Sequence, residues 1–435
     1  MSTDQPAPTL RLRELLAMGV GGMIGGGIFS VLGLAVRESG NAAPLAFLSG
    51  ALIALIAGRA YVHLALAYRE DGASFTYLER AFPKHLAVAG VAGWVVVVGY
   101  IGTLALYAYT FGAYGSHLLG HPDAHLLRMG LSVGVLLAFL GINALGAGAM
   151  GRLEDVLVGV KVVFLGALAV AGFAAYDPTK ALPLVDRGVS SIFLGGALIF
   201  VAFEGFQLIT NAVAETKEPD RNIPRGIYGS IVITTVIYVL VATVAVGTLG
   251  AQELQDAGEY ALAVVAKPVL GPWGVIVVDI AAMLATASAI NATLFGSARL
   301  ARAMAKDRLA PKLFSFRARG DVPLAGIVVI AALAALLTSL GNLEMIASFS
   351  SMTFLLVSMG VCIASWRLRR ETGAAPLGVG SALLLLGVAL VLLVVFLAEK
   401  DRTALVFCGA VYAAVVVAHL LFERFGRSPA ARMRP

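Results

Sequence analysis

Long apolar runs follow one another along nearly the whole chain, parted by short breaks that hold most of the charge and much of the proline. Runs of this length cross a bilayer as helices, because lipid offers no partner to the open edge of a strand. The pattern predicts twelve spans, over residues 12–36, 42–68, 86–119, 126–148, 153–176, 190–215, 224–249, 272–305, 323–340, 343–367, 376–398 and 403–425. An even number leaves both termini on one side. The expected organisation is an N-terminal segment 1–11, five helices over 12–176, a second five over 189–367, two more over 376–425 and a tail 426–435.

Composition narrows the class. Of 435 residues 59% are hydrophobic and only 13% charged, with a mean hydropathy of +0.89. A soluble domain carries about 25% charge, so a water-facing multidomain enzyme is excluded. The excess of Lys and Arg, 32 against 26 acidic residues, is a matter of topology. Taking the N terminus as cytoplasmic, 23 basic residues fall on that side and 7 on the other, the two remaining being Arg59 and Lys161 within spans. The positive-inside rule then places both termini on the cytoplasmic side of the cell membrane. Basic residues spread over so many segments do not build a nucleic-acid face. Residues 1–10 are polar and contain proline, so no cleavable signal is expected. Cys362 and Cys408 sit in separate apolar runs, which predicts neither a disulfide nor a thiolate metal site.

Two spans break the helical pattern. In the first, five glycines occupy the seven positions from Gly21 to Gly27. Each costs about 1 kcal/mol of helix propensity relative to Ala, so the run is a poor helix at mid-membrane depth. In the sixth, which opens the second set of five, the stretch Phe200-Val201-Ala202-Phe203-Glu204-Gly205-Phe206 sets a carboxylate beside a glycine in an apolar span. Interruptions at corresponding places in two halves point to an inverted-repeat secondary transporter and to its binding site.

The chemistry of such a site follows from the backbone. Unwinding frees N–H and C=O groups that lipid cannot satisfy. The N–H groups of Gly25, Gly26 and Gly27 can approach an anion closely, and the following half-helix adds its positive end. The carbonyls of Met23 and Ile24, and those from Phe200 through Ala202 to Phe203, can accept from an ammonium group. Carboxylate and ammonium together describe an amino acid. The alternative is that the glycines only permit tight helix packing.

These segments, and above all Glu215-Thr216-Lys217-Glu218-Pro219-Asp220-Arg221-Asn222-Ile223-Pro224-Arg225, resemble the amino acid–polyamine–organocation (APC) transporter superfamily, in particular its archaeal proton-coupled, broad-specificity amino acid transporters. The similarity continues through Tyr260 to Pro268, Asn291-Ala292-Thr293 and Ala305-Lys306-Asp307, and is weakest after the tenth helix. It implies an all-α polytopic membrane protein of the leucine-transporter fold: a five-plus-five inverted repeat, two added C-terminal helices, and helices one and six unwound at mid-membrane. It further implies proton symport by alternating access.

Lys161 lies well inside the fifth span, too deep for its head to reach the interface comfortably, and an ionisable group there is a functional candidate. Its compact ammonium can take and release a proton. The resemblance places a matching lysine where sodium-coupled relatives bind sodium, so Lys161 would reach the carbonyl near Gly21 and the hydroxyl of Ser288, with Thr286 nearby. A proton is then the coupling ion, and neither sodium nor a cofactor is expected. The alternative is a lysine that anchors helix five at the cytoplasmic interface.

Glu204 departs from many relatives, which carry an apolar residue there. It can attract a cationic side chain, carry a second proton, or bond to a neighbouring helix. Phe200 and Phe203 resemble the aromatic residues that cover the substrate; core packing is the alternative. Arg59 and His63 read as an interfacial pair, and Tyr100, Tyr107, Asp279, Ser348 and Ser350 as possible cavity or vestibule residues. Histidine spacing argues against zinc, and no Walker sequence argues for ATP-driven transport. No reactive dyad suggests an enzyme. The expected function is amino acid import by proton symport, with no obligatory protein partner. A cationic amino acid or polyamine carrier or exchanger is the rival, and a channel or a non-transporting sensor the distant ones.

Overall fold

The computed structural model describes residues 9–70, 73–144, 151–316 and 323–426. Residues 1–8, the end of the fourth expected span (145–148), Arg317, Arg319 and the tail from 427 lie outside the described residues. Among the described residues there is no strand, only one isolated bridge between Leu10 and Thr216.

The helices run in chain order α1 (Leu12–Ile24), α2 (Gly27–Ser39), α3 (Ala43–Tyr68), α4 (Ala73–Ala81), α5 (Leu86–Leu118), α6 (His125–Ala144) and α7 (Gly151–Gly172). Then come α8 (Val189–Leu198), a 13-residue 3-10 segment (Phe200–Ala212), α9 (Pro219–Leu249), α10 (Ala251–Ala257) and α11 (Ala261–Lys306). The chain closes with α12 (Leu324–Leu340), α13 (Leu343–Arg367), the turn α14 (Arg369–Thr372), α15 (Pro376–Lys400) and α16 (Arg402–Leu421). The protein is an all-α polytopic membrane protein. Nine of the described helices are long and apolar enough to cross a membrane, ten when α8 and the 3-10 segment, bent by 45°, form one span. α12, at 17 residues, falls just short of that length, and the first expected span is split into α1 and α2.

Several boundaries differ from the sequence pattern for local reasons. α9 begins at Pro219, not 224: proline fixes φ and lacks the N–H that a first turn leaves unpaired, and Asp220 complements the positive end of the helix. The eighth expected span extends back to Ala261, with Gly271 at φ 72° making a kink between Pro268 and Pro272. α4 was not evident in the pattern. Its nine residues mix polar side chains with Phe75, Tyr77 and Leu78, which are buried.

α5 packs along α11 and α13, α3 packs along α9 and α8, and α1 lies against α9 and the 3-10 segment, so both broken helices sit at the centre. α16 is peripheral, burying only Ala404, Cys408 and His419. Cys362 on α13 and Cys408 are both buried and unpaired.

Candidate functional site

The break in the first span occupies Gly25 and Gly26, where Gly26 takes φ −137° and ψ −9°. Ser30 still donates its N–H to the carbonyl of Gly26 at 2.8 Å, so helical bonding resumes at once. The second break falls at Ile199. There Ser351 of α13 donates to the carbonyl of Leu198 at 2.6 Å and accepts from the N–H of Val201 at 3.0 Å. One hydroxyl thus satisfies a donor and an acceptor that the bend would orphan.

The two breaks meet closely. A Cβ on Gly22 would lie 3.0 Å from the Cα of Gly205, and one on Gly205 would collide with the backbone of Gly22 and Met23. Neither position tolerates a larger residue without moving a helix. Tyr238 of α9 bridges the same junction: its hydroxyl donates to the carbonyl of Met23 at 2.6 Å and stands 3.4 Å from that of Ala202. Its ring packs edge-on against Phe47 and Phe203. Tyr107 of α5 donates to the carbonyl of Gly22 at 3.2 Å, and its ring covers Gly26 so tightly that a Cβ there would collide with it. Phe200 and Phe203 are fully buried, and so is Ile24. The glycine run therefore serves close packing as well as the break.

A cavity of about 640 Å³ leads to this junction from the end of the molecule that carries Leu10, Glu14 and Arg299. It stops at Gly21, Gly22, Tyr100, Tyr107, Glu204 and Ala289. Gly25, Gly26, Gly27, Met23, Ile24, Phe200, Ala202 and Phe203 do not line it. Tyr107, which does, stands between the cavity and Gly26.

Glu204 is 6% exposed. Its Oε1 accepts from Thr103 of α5 at 3.1 Å, while Oε2 is buried with no hydrogen-bond partner. Gln207 is three residues on, and in a 3-10 helix residues i and i+3 eclipse, so both side chains share one face. Gln207 also lines the cavity, with Nε2 buried and unpartnered.

Lys161 of α7 is 7% exposed, and its Nζ donates to the carbonyl of Ala285 on α11 at 3.2 Å. Val158, one turn before it, presses its methyl group against Gly21, so this face of α7 also packs on α1. Ala285 precedes Thr286 and Ser288 on α11. The Thr286 hydroxyl bonds within its own helix, to the carbonyls of Ala282 and Met283, and Ser288 is half-buried.

The opposite end of the molecule is laced by ion pairs. Arg128 of α6 reaches both oxygens of Glu259 at 2.9 and 3.0 Å, bonds the Tyr109 hydroxyl and lies 4.2 Å over the Tyr109 ring. His117 meets Asp279 at 2.9 Å, Lys400 meets Glu38 at 3.0 Å, and Arg37 pairs with Glu344. Below them Ser30 and Thr110 share a buried bond of 2.7 Å. Asp279 is thus held by a histidine and not open to a vestibule. Arg59 is exposed, Ser348 and Ser350 are buried away from the cavity, and Tyr100 and Tyr107 line it.

Three residues that matter here carried no signal of their own: Thr103, Tyr238 and Ser351 look like ordinary members of apolar helices until the fold brings them to the breaks.

Comparison with known proteins accords with this geometry. The family model described as amino acid permease matches residues 10–415. An uncharacterized protein of Methanocaldococcus jannaschii is 32% identical over 386 residues, covering 88% of each chain. The inner membrane transport protein YbaT of Escherichia coli is 30% identical, covering 95% of this chain and 96% of its own. The branched-chain amino acid permease BcaP of Bacillus subtilis is 25% identical over 80% of this chain and 79% of its own. With broken helices packed at the end of a cavity and a family match over nearly its full length, the chain belongs to the amino acid permease family of the amino acid–polyamine–organocation superfamily.

Proposed function

We propose that the protein imports amino acids across the cell membrane by proton symport and alternating access, as a twelve-span transporter with both termini in the cytoplasm and an inverted five-plus-five repeat. The substrate's carboxylate rests on the N–H groups of Gly25, Gly26 and Gly27, and its ammonium on the carbonyls of Met23, Ile24 and the sixth-span break. In the state described, the cavity opens at the end with the basic excess while ion pairs close the other, which matches an inward-facing carrier. Tyr238 and Tyr107 hold the carbonyls of Met23 and Gly22, so substrate entry requires Tyr107 to swing off Gly26.

The observation that carries the coupling is Lys161, an ammonium buried between α7 and α11 and bonded to a backbone carbonyl, in a helix face that also packs on α1 at Gly21. A proton shifts an equilibrium only by binding its two states unequally, and a lysine seated or released between moving helices supplies that difference. Uptake into proteoliposomes tests it. An imposed inward proton gradient should raise accumulation of labelled amino acids, and Lys161→Ala should abolish the gradient-driven part. Equal accumulation with and without the gradient would end the symport reading, and full gradient-driven uptake by the variant would move the coupling elsewhere.

A second reading, a cationic amino acid or polyamine carrier, is favoured by one feature, the buried Glu204 oxygen without a partner at the head of the cavity.

A further inference from the structure

We propose that Glu204 is the anchor of a side-chain subsite that selects amino acids bearing a second positive charge, the lysine and arginine type. The proposal rests on the transport reading above and names the substrate class of the same site.

Its basis is an imbalance. Glu204 lies on the 3-10 segment and lines the closed end of the cavity, with one oxygen bonded to Thr103 and the other buried behind it without a partner. No lysine, arginine or histidine among the described residues forms an ion pair with it. A carboxylate away from water is strongly disfavoured unless a cation or several donors meet it. Thr103 supplies one donor. A substrate ammonium or guanidinium supplies the rest.

The surroundings fit a cation better than an apolar side chain. Tyr100 and Tyr107 line the same end of the cavity, and aromatic faces attract cations. Gln207, eclipsed with Glu204, also lines the cavity, and its amide carries an oxygen able to accept from the ligand. The cavity of about 640 Å³ lies in the size range of small-ligand pockets. A substrate whose α-groups rest at the backbone breaks would thus extend its side chain toward Glu204, on the segment that forms the second break.

Matched pairs of ligands isolate the charge: L-lysine against L-norleucine, and L-arginine against L-citrulline, measured by competition for binding to the full-length protein in liposomes. The expected result is binding of the charged member at least about tenfold tighter, as for a charged hydrogen bond in a buried site. Glu204→Gln should bring both ratios near one, because the amide keeps the shape of the side chain and removes its charge. Glu204→Asp, which withdraws the carboxylate by one methylene, should keep the preference and move it toward the longer arginine. Wild-type ratios near one overturn the proposal without any variant, so poor folding of Glu204→Gln does not shelter it. Ratios that persist in a folded Glu204→Gln protein also overturn it, as does loss of gradient-driven uptake with selectivity intact, which would make Glu204 a proton carrier. Neutral amino acids accumulating without cationic preference refute only this inference; no binding of any amino acid refutes the transport reading itself.

Discussion

The hydroxyl of Tyr238 donates to the carbonyl of Met23 over 2.6 Å, fastening α9 to the last turn of the first half-helix. The bond is buried, and its acceptor would otherwise face apolar surroundings where the glycine break begins. Tyr238→Phe should therefore cost about 1–3 kcal/mol, the range for a buried polar group left without its partner. Thermal unfolding of the purified protein in detergent reads this directly; a midpoint unchanged from wild type would mean that water or another donor replaces the hydroxyl.

Gly26 has no room for a side chain because the Tyr107 ring occupies the position of a Cβ. Gly26→Ala should destabilise by about 1–3 kcal/mol through overpacking and should lower uptake sharply. Adding Tyr107→Ala should recover much of the stability. If the double variant is as unstable as the single one, backbone conformation and not crowding is what demands glycine there.

Arg128 and Glu259 close the end of the molecule opposite the cavity, with both side chains mostly buried and Tyr109 drawn into the pair. Removing one partner with Arg128→Gln should favour states open at that end by about 1 kcal/mol, roughly fivefold in population. A cysteine placed at Ser30, which is buried just beneath, reports the change by its rate of reaction with a membrane-impermeant thiol reagent. A rate no faster than in the Arg128 background assigns closure to the remaining ion pairs.

At the cavity end, a second cleft of about 400 Å³ holds Glu79 of α4 and Asp307 after α11. Burial, and then the neighbouring Asp307, raises Glu79 above the ordinary carboxylate range; burial raises Asp307 despite Lys306. Acids raised in the folded state add stability that is complete below the ordinary range and is lost as pH climbs through the raised values. Amide exchange in α4, corrected for its intrinsic pH dependence, should therefore quicken as pH rises above the ordinary carboxylate range, and Glu79→Gln should flatten that rise. A pH-independent α4 would place these carboxylates in water.

Much of this architecture was legible because lipid enforces simple rules. Apolar runs became helices, and the Gly21–Gly27 cluster became a break, since helix propensity and missing Cβ atoms act locally. The bend at Ile199 was also visible, one residue before the stretch that flagged it. What stayed hidden was whatever depends on distant partners. Thr103 meets Glu204 from 101 residues away, and Tyr238 meets Met23 from 215. The sequence pattern starts α9 at Pro224 because either proline can open a helix, and it is Pro219 that does, leaving Pro224 inside the first turns. α4 was missed because a nine-residue helix at the membrane edge lacks the long apolar run that betrays a span.

The 3-10 segment carries a consequence in length. Thirteen residues at about 2.0 Å each cover some 26 Å, whereas the same residues wound as an α-helix would cover about 20 Å. Rewinding it would draw α8 and α9 together by about 6 Å and turn Gln207 about 60° away from Glu204, from 120° to 100° per residue over three residues. The polar face toward the cavity and the distance between two helices are thus geared to one another through a single stretch of backbone.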